Sequence, residues 1–216
     1  MQWTDQFLED DASTRETRVE GVVIAEVVEI LDSLMLGRVK VRLPWNPDVE
    51  AWAPVCAPFA GEGYGLWCMP QVGDAVVVAF EHGHPDWPVV VGSVWKAAGD
   101  PPIDQPLDAE YKRVLKTPGG HALVFDDLEQ KISLTHARGH TLELGATKVH
   151  ISFANGMGSL TLTIDGDVSL EGAKSVEVSA PQAKLSGDVT ADVSAATTTV
   201  KADSTLRISG SLVTIN

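Results

Sequence analysis

Two histidines and an aspartate close together are the most obvious candidates for metal chemistry. His82, His84 and Asp86 alternate along the segment EHGHPDWP (81–88), and imidazole and carboxylate groups are ordinary metal ligands. The segment also combines glycine, proline and aspartate between two strongly apolar runs, which is typical of a hairpin turn. We therefore expect a turn here and no metal site.

Two cysteines are the candidates for redox or zinc chemistry. Cys56 and Cys68 have the spacing of neither a zinc site nor a redox motif, and one pair is weak evidence for a disulfide scaffold in a chain of this size. We expect both at barrel positions with reduced thiols, and a disulfide between them is the alternative.

A glycine-rich loop and several carboxylates complete the possible sites. The loop AGEGYGLW (60–67) fits neither the dinucleotide-binding nor the P-loop pattern, and no helical pattern follows it. Four aspartates lie beside predicted turns, where Asp is favoured for backbone reasons: Asp126, Asp127, Asp165 and Asp167. We therefore predict no catalytic residue, no cofactor and no metal, and expect a protein that is not an enzyme.

The charge of the chain limits its partners. Thirty acidic and 16 basic residues give a net charge of −14, which opposes binding to nucleic acid or to an anionic membrane. No apolar run approaches the ~20 residues that span a bilayer. The first residues, MQWTDQFLEDDASTRE, lack a signal-peptide pattern, so we expect assembly in the cytoplasm.

Composition divides the chain into four segments. Residues 1–18 are acidic and without periodicity, which predicts a flexible N-terminal arm. Residues 19–96 contain five of the six tryptophans and strong strand signals. Residues 97–111 contain three prolines, as a linker would. Residues 112–216 lack tryptophan and consist of short Val, Leu, Ile, Thr and Ser runs.

The second segment has the pattern of a small all-β barrel. GRVKVRL (37–43) alternates strictly, with Val39, Val41 and Leu43 on one face and basic residues on the other. Further strand signals cover 19–31, 51–59, 74–80 and 89–95. Short strands without a helical pattern predict a closed barrel, since closure removes exposed sheet edges.

The last segment repeats. From about Gly166 a turn signal recurs every seven or eight residues, and each intervening strand offers two or three small apolar side chains. Such units are too short for one chain to enclose a core, so we predict a needle in which three chains each supply one face. The predicted trimer core consists of Ile164, Val168, Leu170, Val176, Val178, Leu185, Val193, Val200, Ile208 and Ile215.

Three stretches together resemble the baseplate-V and VgrG-type spike family of contractile injection systems. They are GRVKVRLPW (37–45), residues 52–95, and KTPGGHALVFDD (116–127). The resemblance implies an all-β protein, with an N-terminal OB-fold barrel followed by a C-terminal trimeric, intertwined β-helix. It also implies a homotrimer that acts as the central spike of a phage tail baseplate or of an extracellular or type VI-like injection particle.

Departures from this family imply further partners. The large hub-like half of VgrG proteins and the peptidoglycan-cleaving domain of some phage spikes are not present in these 216 residues, so we expect a separate hub at the barrel end. The last histidine is His150, which argues against a histidine-bound metal at the apex. We expect a PAAR-type tip protein on a platform formed by Leu212, Val213, Thr214, Ile215 and Asn216.

Other functions fit parts of this pattern. A trimeric adhesin resembling a tail fibre would also be fibrous, but adhesins usually end in a receptor-binding head, whereas these residues end in the repeat. A polysaccharide-active β-solenoid enzyme would need longer coils and a groove. A membrane-puncturing spike, which touches its target membrane only transiently, therefore fits the sequence best.

Overall fold

The N-terminal part of the chain is an antiparallel sheet that curls on itself. The computed structural model describes residues 18–46 and 48–215, so most of the predicted arm lies outside the described residues. The strands in this part are β1 (Val22–Glu29), β2 (Arg38–Arg42), β3 (Glu50–Pro54), β4 (Ala60–Gly61), β5 (Tyr64–Gly65), β6 (Ala75–Phe80) and β7 (Pro88–Val94). The main sheet has the order β3-β2-β1-β6-β7, and β4 and β5 form a small separate hairpin.

Closure of the sheet depends on irregular pairing. The register shifts between Val27 and Glu29 in β1 and between Val77 and Val78 in β6, and such bulges bend a strand and increase its twist. A parallel bridge between Val55 and Val90 then joins the segment after β3 to β7. The result is the small OB-like barrel that the strand signals predicted.

The inner face of this barrel is the apolar core of the described residues. Val39 and Val41 are fully buried and Leu43 nearly so, while Arg38, Lys40 and Arg42 lie on the outer face. The prediction from strict alternation is therefore confirmed. The core consists of Ala25, Val27, Val39, Val41, Leu43, Ala53, Val76, Val78, Phe80 and Val90.

The basic residues of β2 are neutralised on the outer face. Each of them pairs with a carboxylate: Arg38 with Asp32 at 2.8 Å, Lys40 with Glu29, and Arg42 with Glu50 at 3.0 Å. The Arg38 guanidinium also lies 5.4 Å from the ring of Trp52, a favourable cation–π distance. All three cations therefore have carboxylate partners within the barrel.

Asp32 organises the connection between β1 and β2. Its carboxylate accepts hydrogen bonds from the Arg38 side chain at 2.8 and 3.0 Å, and from the backbone N–H groups of Leu34 and Leu36 at 3.1 and 3.0 Å. The bond from Arg38 is the main reason that the pKa of Asp32 lies well below its usual range, and the two backbone bonds lower it further. The connection is thus fixed by one carboxylate.

The segment 81–88 is the predicted hairpin turn between β6 and β7. Residues Glu81–Gly83 form one turn of 3₁₀ helix, in which His82 has a φ of 51°. His84 stacks on Trp87, with ring centroids 4.7 Å apart, and its Nδ1 lies 3.8 Å from an Asp86 carboxylate oxygen. The exposed histidines therefore belong to a compact turn.

The glycine-rich loop is built around close packing. A Cβ atom on Gly65 would lie 2.9 Å from the Phe59 carbonyl oxygen, across the β4–β5 hairpin, and Gly65 has a φ of 148°, so this position requires glycine. Cys56 and Cys68 are both free and exposed. The Cys56 N–H donates to the Val90 carbonyl at 2.8 Å, which places this cysteine at the barrel closure.

The predicted linker ends in a short helical turn that a buried ion-pair cluster joins to the next sheet. A single helical turn, α1 (Asp108–Tyr111), precedes the next strand. Asp108 and Asp126 are buried, and Lys112 lies between them, with Nζ 3.0 Å from Asp108 and 3.8 Å from Asp126. The hydrogen bond from Lys112 lowers the pKa of Asp108. Because buried carboxylates require a partner cation, this cluster anchors the linker to the following sheet.

Beyond the linker the chain forms a seven-stranded antiparallel meander. Its strands are β8 (Lys112–Lys116), β9 (Ala122–Asp126), β10 (Lys131–Thr135), β11 (Thr141–Leu144), β12 (Lys148–Ser152), β13 (Gly158–Thr163) and β14 (Val168–Gly172). They lie in the sheet in their order along the chain, each hydrogen-bonded to the next. Residues 173–215 form no strand within the single chain. The repeating strands that we expect there remain a prediction.

The barrel core provides a direct test of the fold. In β1, Val27 is 0% exposed and Val22 is 63% exposed. We expect Val27→Ala to lower the free energy of unfolding by roughly 2–3 kcal/mol, because it removes two buried methyl groups and leaves a cavity. Urea denaturation followed by tryptophan fluorescence measures this, since residues 112–216 contain no tryptophan.

The same strand supplies the control. Val22→Ala removes the same atoms from an exposed position, so the change should stay within about 0.5 kcal/mol. Equal losses for the two variants would contradict the assigned faces of β1.

Candidate assembly interface

One face of the C-terminal sheet is mainly apolar. Residues that are directly opposite each other in an antiparallel pair share a face, and the register aligns two rows of such residues across the seven strands. The first row is Phe125, Ile132, Leu144, Val149, Leu162 and Val168 on β9 to β14, and Arg113 occupies its position on β8. The second row is Leu115, Leu123, Leu134, Leu142, Ile151, Leu160 and Leu170. We call these two rows the apolar face.

The opposite face of the same sheet is mainly polar. It contains Ser133, Glu143, Lys148 and many serines and threonines between them. Cross-strand hydrogen bonds connect some of these side chains, for example Thr141 Oγ1 with Ser152 Oγ at 2.7 Å. An antiparallel sheet with this pattern exposes one face to water and requires a cover for the other.

Nothing in the described part of the chain covers the apolar face. Leu115, Leu134 and Leu170 are 55%, 51% and 58% exposed. All fully buried apolar residues among those described belong to the barrel. A sheet normally buries its apolar face against a second layer, and exposed apolar patches of this extent mark interaction surfaces. The apolar face is therefore the strongest candidate for a functional surface in the chain.

The predicted trimer-core residues are all exposed in the single chain, from 52% for Val176 to 88% for Ile215. Two of them, Val168 and Leu170, lie on the apolar face at its C-terminal edge. The others, except Ile164, follow in the segment without strands. Of the predicted tip platform, Leu212 and Ile215 are highly exposed, and Asn216 lies outside the described residues.

Sequence reasoning missed most of the apolar face. The predicted trimer core began at Ile164, because the search for repeats started at Gly166. The signal was nevertheless present in the earlier strands, since KISLT (131–135) and GSLTLT (158–163) alternate with the period of two that is typical of a half-buried strand.

The other predicted sites form no active centre in the described residues. No group of three or more His, Cys, Asp or Glu side chains is arranged to hold a metal ion there. Asp126 is buried beside Lys112 and accepts a hydrogen bond from the Glu129 N–H at 2.9 Å, which makes it a structural residue. Within the same residues, no helix is both long and apolar enough to cross a membrane.

Residues 23–95 match the family model described as the type VI secretion system and phage-baseplate injector OB domain. The type VI secretion system spike protein VgrG3 of Vibrio cholerae is 35% identical over 125 residues, or 51% of this chain. The actin cross-linking toxin VgrG1 of the same species is 33% identical over 121 residues, also 51% of the chain. The spike protein VgrG2a of Pseudomonas aeruginosa is 29% identical over 150 residues, or 63%.

The matched region is a small part of each relative. The chain spans 12%, 11% and 17% of the lengths of these three proteins, in that order. The family resemblance inferred from the sequence is confirmed, and the β-barrel of the structure coincides with the matched domain. Residues 23–95 thus belong to the injector OB domain family of type VI secretion systems and phage baseplates, and the chain resembles VgrG-type spike proteins over about half of its length.

Proposed function

We propose that this chain is the central spike of a contractile injection machine, in which three copies form a needle that carries mechanical force and has no enzymatic role. The observation that carries the proposal is the apolar face, which follows an injector OB domain in the chain and has no cover within the described residues. The similarity to two proteins named as spike proteins supports the same function.

The shape of the sheet favours association around an axis. Seven strands about 4.8 Å apart extend roughly 30 Å in the direction across the strands. Three such sheets, each with its apolar face inward, form a prism with a continuous core and a polar exterior. The polar face with Ser133, Glu143 and Lys148 then becomes the outer surface of the needle.

The tail supports a trimer for a second reason. Residues 173–215 have no strand pairing within the chain, and backbone N–H and C=O groups require hydrogen-bond partners when they are buried. In an intertwined β-helix the two other chains supply those partners. The exposed apolar residues of the tail, from Val176 to Ile215, would then form its core.

The ends of the spike require other proteins in this proposal. The OB barrels would sit on a separate hub, and the apolar residues Leu212, Val213 and Ile215 would present a small platform to a PAAR-type tip protein. Such a platform is an aggregation liability when uncovered. The target membrane would be touched only during puncture.

Disruption of the apolar face tests the trimer. Leu134 and Ser133 are neighbours on opposite faces of β10. We expect the wild-type protein to be a trimer of 23.0 kDa chains in light scattering at micromolar concentration. Leu134→Asp should abolish the trimer, because an unpaired carboxylate in an apolar core costs about 3–5 kcal/mol per chain.

The control is Ser133→Asp, which places the same charge on the outer face and should leave the trimer intact. A folded wild-type monomer would contradict the proposed function. Equal effects of the two substitutions would contradict the assignment of the inner face.

The tip platform has its own test. We expect the full-length spike to retain a purified PAAR-type tip protein in a pull-down, and a version without residues 206–216 to lose it while it remains a trimer. The reason is that the truncation removes the apolar platform and leaves the longer part of the needle. A truncated trimer that still retains the tip protein would show that the platform lies elsewhere.

A further inference from the structure

Three imidazole rings and one phenyl ring form a row along one margin of the apolar face. The ring centroids of His121 and His136 are 4.5 Å apart, those of His136 and His140 are 5.3 Å apart, and those of His140 and Phe153 are 5.3 Å apart. Each ring lies two residues from a member of the second apolar row, for example His136 from Leu134. Because side chains alternate along a strand, the rings continue the apolar face.

The imidazoles also connect the hairpin loops of the sheet. His121 Nδ1 accepts a hydrogen bond from the Ala137 N–H at 3.3 Å, and His140 Nδ1 accepts one from the Ala154 N–H at 3.1 Å. These two bonds join the loop 117–121 to the loop 136–140, and the latter to the loop 153–158. Three loops that are separate in sequence are thus tied together by neutral histidines.

The hydrogen bonds determine which nitrogen carries the proton. His136 Nδ1 accepts a bond from the Arg138 N–H at 3.1 Å, so all three rings use the Nδ1 lone pair as an acceptor. A neutral ring of this kind has its proton on Nε2. Protonation of Nδ1 would turn the acceptor into a donor that faces another donor, and the bond would be lost.

The same geometry argues against a metal site. A ring that coordinates a metal through Nε2 carries its proton on Nδ1, which in this row would point at a backbone N–H group. A ring that coordinates through Nδ1 would lose the bond to the loop. The row is therefore arranged for neutral imidazoles.

The charged surroundings of the row are also unfavourable to protonation. His136 faces His121, His140 and Arg138, all of which are cations or can become cations. None of the three histidines forms an ion pair with a carboxylate within the described part of the chain. Burial is the main cause that lowers the pKa of His136, followed by His121, His140 and Arg138.

No carboxylate of the described barrel forms an ion pair with a histidine of this row. Asp74, Lys96 and Asp100 line a cleft together with Thr117 and Pro118, at the end of the sheet that is next to the barrel. Their side-chain polar atoms are engaged by backbone groups of the barrel and the start of the linker, for example Asp100 by the Lys96 and Ala97 N–H groups.

We propose that the imidazole row is a pH-sensitive fastening of the needle, which ties three hairpin loops together at neutral pH and releases them in mild acid. The connection of the three loops within one chain depends only on the hydrogen bonds described above. Its consequence for assembly rests on the proposed function: protonated rings would bring like charges onto the margin of the face where three chains meet, and the trimer would loosen.

The direction of the pH dependence follows from the hydrogen bonds, because His121 and His140 join the loops through an unprotonated Nδ1. The lowered pKa of His136, whose own bond lies within one loop, has the same sign. An unfolded histidine titrates near about pH 6.5, and the folded ring titrates below that. The contribution of the neutral His136 ring is therefore fully present above about pH 6.5 and is lost as the pH falls towards the pKa of the folded ring. The fastening itself is lost when Nδ1 of His121 or His140 is protonated.

Two measurements on the full chain test the fastening itself. NMR titration of the imidazoles should give a pKa below about 6.5 for His136, and His121→Gln or His140→Gln should raise it, since each removes a neighbouring charge. Amide exchange at Ala137, Arg138 and Ala154, corrected for the intrinsic pH effect, should be about tenfold faster near pH 5 than near pH 7.5. His84→Gln, in the exposed barrel turn, is the control and should change neither result.

Exchange at Ala137 and Ala154 that does not depend on pH would overturn the fastening, and a His136 that titrates at or above about pH 6.5 would contradict a row of neutral imidazoles. The mass of the assembly at both pH values separates this from the proposed function. A protein that is not a trimer near neutral pH contradicts the spike, while the titration and exchange still decide the fastening. A trimer that is equally stable at both values supports the spike and overturns the pH-dependent assembly.

Discussion

The structure depends on one imbalance: the C-terminal sheet has an apolar face and nothing in the described chain to cover it. Its thirteen large apolar side chains lie in two rows on the same side, while the other side is mainly serine, threonine and charged residues. A single layer of this kind gains little from folding alone, because burial of apolar area is the dominant stabilising contribution. The proposed association would supply the burial that this segment lacks in the single chain.

The barrel is the opposite case and does not need a partner to form its core. Val39 and Val41 are buried on its inner side, and the cations of its outer side are paired with carboxylates of the same barrel. The linker joins the two parts through the buried cluster of Asp108, Lys112 and Asp126. A self-contained barrel is thus joined to a segment whose apolar face has no cover in the described chain.

The sequence predicted the features that depend on residues close together in the chain, and it did not predict those that depend on distant residues. Strand β2 was predictable because the alternation of Val39 and Val41 with basic residues is local and both faces are satisfied within the barrel. Helix α1 was not predictable, because it is held by the ion pairs of Lys112 with Asp108 and with Asp126, and Asp126 is distant in sequence. The imidazole row was missed for the same reason, since His121, His136 and His140 come together only through the register of three hairpins.

The central claim is that other copies of the chain bury the apolar face, and thiol accessibility tests it most directly. In a background with Cys56 and Cys68 replaced by serine, a cysteine is introduced at position 134 or at position 133, on opposite faces of β10. At neutral pH the account predicts that a thiol-reactive probe labels position 134 at least about tenfold more slowly than position 133, because a buried thiol is inert. In the single chain position 133 is half-buried and position 134 is exposed, so only association gives this order. Equal labelling rates at the two positions would contradict the account.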